Sequence, residues 1–118
     1  MFRDFKVAGL LDWELCSVSA AEEDLFGQLA VDAVLARMSM SRIDGFLSTD
    51  QTIAAYQEIL QRELLGTQWW YAFSLAKMGA EVHRLLVSSQ QLRAIPDAVD
   101  LGTVNVAFPA LRDALESL

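Results

Sequence analysis

Two carboxylates at the end of a short apolar segment are the residues of this sequence best suited to do chemistry. Val7 to Leu11 is apolar with one small glycine, and Asp12 and Glu14 follow it directly. The apolar run predicts a buried β-strand. Because removing a carboxylate from water is costly, one placed at a strand end has to be hydrogen-bonded, cap a helix or hold a cation.

Two interpretations of Asp12 remain open on position alone. It can end the strand as a turn or cap residue, which is the commoner role for an aspartate there. It can instead bind Mg²⁺, which takes oxygen ligands and often only one or two protein carboxylates, with waters and substrate phosphates completing the coordination. Glu14 is then a secondary ligand or a structural acid. The sequence therefore offers one candidate metal site, Asp12 with Glu14, and no catalytic or cofactor-binding residue.

The residues around this pair resemble the aminoglycoside phosphotransferase and choline kinase family. The matching segments span nearly the whole chain and are Val7-Ala8-Gly9-Leu10-Leu11-Asp12-Trp13-Glu14-Leu15, Glu23-Asp24-Leu25, Ile43-Asp44-Gly45-Phe46, Ala55-Tyr56 and Trp69-Trp70-Tyr71-Ala72-Phe73. The resemblance is nearest to the bacterial phosphotransferases related to the kinase-like domains fused to acyl-CoA dehydrogenases. The chain departs from the family at Val18-Ser19-Ala20-Ala21, where Gly and Pro are usual.

The resemblance implies a fold and two residue roles. Asp12 corresponds to the magnesium-binding Asp of the kinase-like fold, and Asp24 to an anchor for the catalytic loop, although an acid so early in a helix is also favoured by the helix dipole. The expected fold class is mainly α (α+β), the C-terminal helical lobe of a protein-kinase-like fold with one short N-terminal β-strand or hairpin remnant. Residues 1–118 then form a single partial domain, with the strand and metal-binding segment in 1–16 and a helical bundle in 17–118.

The implied function is transfer of the ATP γ-phosphate to a hydroxyl of a small molecule, with Mg²⁺ and ATP as cofactors of the full-length enzyme. This chain lacks most of the catalytic parts: its glycines are too far apart for a phosphate-binding loop, and His83 is followed by Arg84 and Leu85 instead of a catalytic-loop aspartate. We therefore expect it to be inactive alone. Its expected partners are a missing N-terminal lobe or a second copy, and the hydroxyl acceptor.

Two other functional classes are alternatives to a phosphotransferase. A non-catalytic helical interaction module fits the positive mean hydropathy of +0.28, which is typical of apolar surface that contacts a partner. An Asp-based phosphatase also places an acid at a strand end, but it needs a parallel sheet, and the pattern after Asp12 is helical. Of these two alternatives, the interaction module fits the sequence better than the phosphatase.

Composition limits the class of protein further. With 118 residues, 53% of them hydrophobic, the chain suits one small domain. The net charge of −7 and the scattered basic residues argue against nucleic-acid binding. The longest charge-free run, Leu64 to Ala76, is too short for a membrane span, which needs ~20 apolar residues. The lone Cys16 cannot form an internal disulfide, and a cytoplasmic location is expected.

Local signals place the helices. Capping-box spacings at Ser19-Ala20-Ala21-Glu22 and Ser48-Thr49-Asp50-Gln51 predict two helix starts, and Gly66 is suited to end the second helix in a left-handed conformation. A third, central helix is predicted from near Thr67, and Pro109 opens a short last one. The aromatic run 69–73 could line a substrate cleft, but inside a helix it is more often core. The lone His83 is interpreted as a partly exposed structural residue.

Overall fold

The computed structural model describes residues 2–3, 6–7, 9, 18–40 and 44–118. They form a mainly helical structure, as predicted. Its elements are β1 (Phe2–Arg3), β2 (Lys6–Val7), α1 (Ala21–Arg37), α2 (Thr49–Leu60), α3 (Thr67–Gln91), α4 (Leu101–Val104) and α5 (Phe108–Glu116).

The two short strands form an antiparallel pair in which Phe2 is opposite Val7 and Arg3 is opposite Lys6. The sequence predicts a strand over residues 7–11. Of these, the structure describes Val7, which ends β2, and Gly9, which is not in a strand. The remaining residues of the predicted strand lie outside the described part of the chain.

Helix α2 begins where its sequence predicts. The Ser48 hydroxyl accepts a hydrogen bond from the Gln51 backbone N–H at 3.2 Å, and the Gln51 side chain accepts one from the Ser48 N–H at 2.8 Å. This reciprocal capping box satisfies two amides that have no partner within the helix. The helix ends earlier than predicted, because Gln61 already has a left-handed conformation with φ 53°. Gly66, also left-handed with φ 63°, instead precedes α3.

Helix α1 begins without the predicted capping box. Its N-cap is Ala20, and no side chain caps the helix. The Glu22 side chain, which the box would need, is engaged by Arg62 in the loop after α2. The prediction failed here because a contact between residues distant in sequence competes for the same carboxylate.

Helix α3 is the central element, as predicted, and two groups of buried residues pack against it. The first, which we call the alanine cluster, joins α1, α3 and the start and body of α5, and consists of Ala30, Val34, Ala72, Leu75, Ala107, Ala110 and Ala114. The second, the leucine cluster, joins α1 to the loop after α2 and consists of Leu25, Phe26, Leu29 and Leu64. Small side chains in the alanine cluster permit close approach of the helices.

The contact between α3 and α5 is close enough to require a glycine. A Cβ atom built on Gly79 would lie 2.9 Å from Cε1 of Phe108, which is closer than a real Cβ contact. Beside it, the buried Asn105 donates from Nδ2 to the Gly79 carbonyl at 2.8 Å, and its Oδ1 accepts from the Ala107 N–H at 3.1 Å. Asn105 thus joins the body of α3 to the start of α5.

The aromatic run of α3 is not uniformly core. Trp69 is 53% exposed and Phe73 is 38% exposed, and their rings stack with centroids 5.1 Å apart. Trp70 and Tyr71 pack at the border of the leucine cluster. The core prediction was therefore wrong for Trp69 and Phe73, since the outward face of α3 meets no other described helix there. His83 is exposed and its ring lies near that of Phe108, as its structural interpretation expected.

Candidate functional site

The predicted metal ligands cannot be placed on this fold. Asp12 and Glu14 lie outside the described residues. Within residues 2–3, 6–7, 9, 18–40 and 44–118, no group of three or more His, Cys, Asp and Glu side chains is arranged to hold a metal ion. In the same part of the chain, no helix is long and apolar enough to cross a membrane.

An open groove with a volume of about 910 Å³ lies between α1 and α3. We call it the α1–α3 groove. Its lining comes from the entry into α1, one face of α1, one residue of α2 and one face of α3, namely Ser19, Ala20, Ala21, Glu23, Asp24, Gly27, Gln28, Val31, Tyr56, Ser74, Lys77, Met78 and Glu81.

Three carboxylates and one ammonium group give the groove a net negative charge. Lys77 contacts Glu23 across the groove, with Nζ 2.6 Å from Oε1, and so joins α3 to α1. Glu81 pairs with Arg84 one helical turn further along α3. Asp24 is exposed and makes no hydrogen bond or ion pair with a described residue. One anionic group therefore remains available at the groove surface.

Ser74 contributes a buried hydroxyl to the lining. The residue is only 5% exposed, and its Oγ has no hydrogen-bond partner among the residues that the structure describes. A helical serine normally satisfies its hydroxyl by bonding to the carbonyl four residues earlier, as Ser88 and Ser89 do further along the same helix. Leaving such a group unpaired costs free energy, so the Ser74 hydroxyl is suited to a group from outside the chain.

Gly27 lines the same groove from the interior of α1. A glycine there costs the helix about 0.5–1 kcal/mol relative to alanine, because its unfolded backbone is freer. A Cβ built on Gly27 meets no atom within 4 Å. Packing therefore does not require this glycine, unlike Gly79, and its effect is to leave the groove wider at that point.

An ion pair between a buried carboxylate and an exposed guanidinium fixes the end of α1 that forms the rim of the groove. Glu22 is 4% exposed, and both of its carboxylate oxygens accept hydrogen bonds from Arg62, at 2.6 and 3.0 Å. Hydrogen bonding to this guanidinium lowers the pKa of Glu22 from 4.5 to about 2, against the opposing effect of burial. The Tyr56 hydroxyl adds a hydrogen bond to the Ala21 carbonyl at 3.4 Å. The rim is thus held by polar contacts with α2 and the loop after it.

The lining residues suit binding better than covalent catalysis. The lining residues that the structure describes include neither His nor Cys, so they offer no nucleophile activated by an adjacent imidazole. They do offer carboxylates, an amide, three hydroxyls and an ammonium group, which can orient a polar ligand. A second, smaller cleft of about 200 Å³ between α1, α2 and the start of α3 is almost wholly apolar and offers less chemistry.

Sequence reasoning identified only part of this groove. Asp24 and Tyr56 were named through the family resemblance, whereas Ser74 and Gly27 were not singled out. A signal for both was present, since each is a small residue at a position where an apolar helix face would normally carry a larger side chain. That signal does not reveal that the two helices bring them together.

Comparisons of this chain with protein-family models, with curated proteins and with solved structures find no match.

Proposed function

We propose that this chain is the C-terminal helical part of an ATP-dependent phosphotransferase that transfers the γ-phosphate to a hydroxyl of a small molecule. The proposal is supported by the residues around Asp12 that resemble the aminoglycoside phosphotransferase and choline kinase family. A mainly helical structure following a short strand pair is compatible with that lobe of a kinase-like fold. In this proposal Asp12 holds magnesium, Glu14 assists, and the α1–α3 groove belongs to the side that receives the acceptor.

The observation that carries the proposal is the position of the groove relative to Asp12 along the chain. Ser19, at the groove rim, follows Asp12 by seven residues. An extended chain spans at most ~3.6 Å per residue, so seven residues reach at most about 25 Å between Cα positions. In the proposal, this short segment joins the carboxylate that would hold the metal to a polar groove, as a phosphotransferase needs.

The chemistry required of the chain's own residues is limited. Phosphoryl transfer depends on positioning and on neutralising charge, and bound Mg²⁺ would supply that neutralisation at the phosphates. Asp12 would position the ion, while the groove would orient the acceptor and exclude part of the water around it. The remaining catalytic groups are not found in this sequence, so we expect transfer only when the chain is joined to a nucleotide-binding lobe.

The first test uses the chain as it stands. Isothermal titration calorimetry should show no specific binding of Mg-ATP by the 118-residue chain, and no ATP hydrolysis should be measurable. Micromolar binding that Asp12→Asn abolishes would contradict the proposal, since a complete nucleotide site would then lie within this chain.

The second test uses a longer protein in which this chain follows a nucleotide-binding lobe. There Asp12→Asn should lower turnover by roughly 10²- to 10³-fold or more, by analogy with loss of one transition-state-stabilising group, with little change in melting temperature. Asp50→Asn, an exposed acid in the first turn of α2, is the matched control and should retain turnover. Full turnover of Asp12→Asn with lowered thermal stability would favour the turn or cap role instead.

A non-catalytic interaction module is the second candidate, and the exposed face of α3 favours it. Trp69 and Phe73 stack there with an interplanar angle of 7° while both remain partly exposed to solvent. Large aromatic side chains of this kind commonly contribute most of the binding energy of an interface. If the module is correct, Trp69→Ser should abolish concentration-dependent self-association measured by light scattering without lowering the melting temperature.

A further inference from the structure

We propose that the α1–α3 groove binds a linear polyamine, a small molecule that carries several primary or secondary ammonium groups. The proposal concerns binding alone: a polyamine without a hydroxyl is not the phosphoryl acceptor, so the groove would bind it as a further ligand whether or not the chain takes part in phosphoryl transfer. Three features of the described residues lead to it: the charge of the groove, an unsatisfied hydroxyl, and space that packing does not explain.

The negative charge of the groove favours binding of a cation. Its described lining carries three carboxylates and one ammonium group; Glu23 is engaged by Lys77 at 2.6 Å and Glu81 by Arg84, which leaves the charge of Asp24. The exposed Asp24 carboxylate has no partner among the described residues. An ammonium ion placed there gains a charge-assisted hydrogen bond, whereas an anion would face net repulsion.

The Ser74 hydroxyl selects a ligand with hydrogen-bonding groups. Its Oγ is buried on the groove lining and lacks a partner in the described part of the chain. A ligand N–H that donates to this oxygen satisfies it, and the hydroxyl hydrogen can then turn towards a second acceptor. A purely apolar ligand would leave the hydroxyl unpaired and the groove charge uncompensated.

The space beside Gly27 favours a long, narrow ligand. The lining extends along α1 from Ala20 to Val31, a distance of about 16 Å at the helical rise of ~1.5 Å per residue. Gly27 lies within this length, and nothing occupies the position of its missing Cβ. An elongated chain of methylenes and ammonium groups can lie along such a groove, with its methylenes against Val31 and Met78.

Two other cations fit less well. A quaternary ammonium ion has no N–H to donate, and it is usually held by several aromatic rings, whereas Tyr56 is the one aromatic residue in the described lining. A divalent metal ion needs several converging oxygen ligands, and the described residues contain no such group. A compound with primary or secondary ammonium groups remains the best match.

Isothermal titration calorimetry of the whole 118-residue chain with spermidine tests the proposal, at low ionic strength and again at ~0.15 M salt, where exposed charges are largely screened beyond about 8 Å. We expect saturable binding of one spermidine per chain. Choline, which is quaternary, and 1,4-butanediol, which is neutral, should give no saturable binding. Absence of spermidine binding, or equal binding of choline, overturns the proposal.

Variants then locate the site. Asp24→Asn removes the available carboxylate and Gly27→Leu fills the groove, and each should weaken spermidine binding by roughly tenfold or more. Ser74→Ala should weaken it less, by roughly threefold, since it removes one neutral acceptor. Glu116→Gln makes the same charge change as Asp24→Asn at an exposed position of α5 outside the groove, and should leave the affinity unchanged.

Two results would overturn the assignment to this groove. Equal weakening by Asp24→Asn and Glu116→Gln would mean that spermidine is attracted only by the net charge of the protein. If Gly27→Leu binds spermidine as tightly as the wild type, and its melting temperature shows that it is folded, the ligand does not bind in the α1–α3 groove. If leucine prevents folding, Gly27→Ala adds a single methyl group at the same point, and its affinity should fall by roughly threefold while its melting temperature rises.

Discussion

Helices α5 and α2 are attached to the rest of the structure in different ways. The nine-residue α5 is held by packing: Ala110 and Ala114 are buried, and Phe108 lies against Gly79. The twelve-residue α2 has no fully buried residue. Its half-buried Ile53, Tyr56 and Leu60 pack on the leucine cluster, and polar groups, chiefly Arg62 with Glu22, join this end of the molecule to α1.

The difference shows that length is a poor guide to how firmly a helix is held. Small side chains let α5 approach α3 closely, so dispersion contacts and apolar burial secure it with little dependence on solution conditions. Hydrogen bonds to a charged carboxylate secure the α2 end, and these depend on pH. Four measurements test this difference between the two helices.

The largest effect is expected from Leu75→Ala. Leu75 is 0% exposed at the centre of the alanine cluster, so its truncation removes buried apolar contacts and leaves a cavity. We expect the free energy of unfolding in urea to fall by about 2.5–5 kcal/mol. Leu85→Ala, on the same helix but 58% exposed, should change it by less than about 0.5 kcal/mol. Similar losses for the two variants would mean that the cluster is not tightly packed.

The two glycines within α1 and α3 should respond to alanine with opposite signs. Gly79→Ala places a Cβ against the Phe108 ring and should lower the free energy of unfolding by about 1–3 kcal/mol, despite the better helix propensity of alanine. Gly27→Ala meets no atom and should raise it by about 0.5–1 kcal/mol. Thermal melting of both variants measures the difference. Adding Phe108→Leu to Gly79→Ala should recover part of the loss, and stabilisation by Gly79→Ala alone would contradict the close contact.

Glu22→Gln should remove a pH-dependent part of the stability. The folded-state pKa of Glu22, about 2, lies below its ordinary value of 4.5, so its contribution is present above pH ~4.5 and is lost as the pH falls towards 2. At pH 7 the variant should be less stable by about 1–2 kcal/mol, because a buried hydrogen-bonded charge is replaced by an amide. Urea unfolding of both proteins should give free energies that converge as the pH falls from about 4.5 towards 2.

The control for this effect is Glu58→Gln, because Glu58 is an exposed acidic residue at the same end of the molecule. It should leave the pH dependence of the wild-type protein unchanged. If Glu22→Gln and Glu58→Gln altered that dependence equally, the pair with Arg62 would not be what holds the α2 end.

The smallest effect is expected from Asp113→Asn. Asp113 pairs with Arg37 and so joins α5 to the end of α1, but the side chains are 60% and 44% exposed. Exposed ion pairs contribute little, so the loss should be below about 0.5 kcal/mol and should vanish at ~1 M salt. A loss above 1 kcal/mol that persists at high salt would mean that α5 also depends on polar contacts.

Local sequence signals predicted a helix start correctly where no residue distant in sequence competes for the same side chains. Ser48 and Gln51 form the predicted capping box because both partners belong to one helical turn and no distant group competes for them. The same spacing at Ser19 and Glu22 did not form a box, since Arg62, forty residues away, binds the carboxylate. The exposure of Trp69 could not be foreseen either, because helical periodicity does not tell which faces acquire a neighbour.

The site was less predictable than the fold. The roles of Asp12 and Glu14 stay predictions, since both lie outside the described residues. The α1–α3 groove arises from the packing of two helices whose facing residues are about fifty positions apart, and a single sequence carries no direct record of that pairing. Asp24 was noticed for its place in the first turn of α1, whereas Ser74 became notable only once its hydroxyl was found unpaired.

The two helix starts also differ in when they can form during folding. The capping box of α2 needs only residues 48–51, so this turn can be populated in the unfolded chain within the submicrosecond times of helix nucleation. The start of α1 has no such local support, and Glu22 gains its partner only after the chain up to Arg62 has folded back. We therefore expect the rim of the groove to be completed late in folding. The folding φ-value, which compares the effect of a mutation on the transition state with its effect on the native state, should be near zero for Glu22 and higher for Ser48.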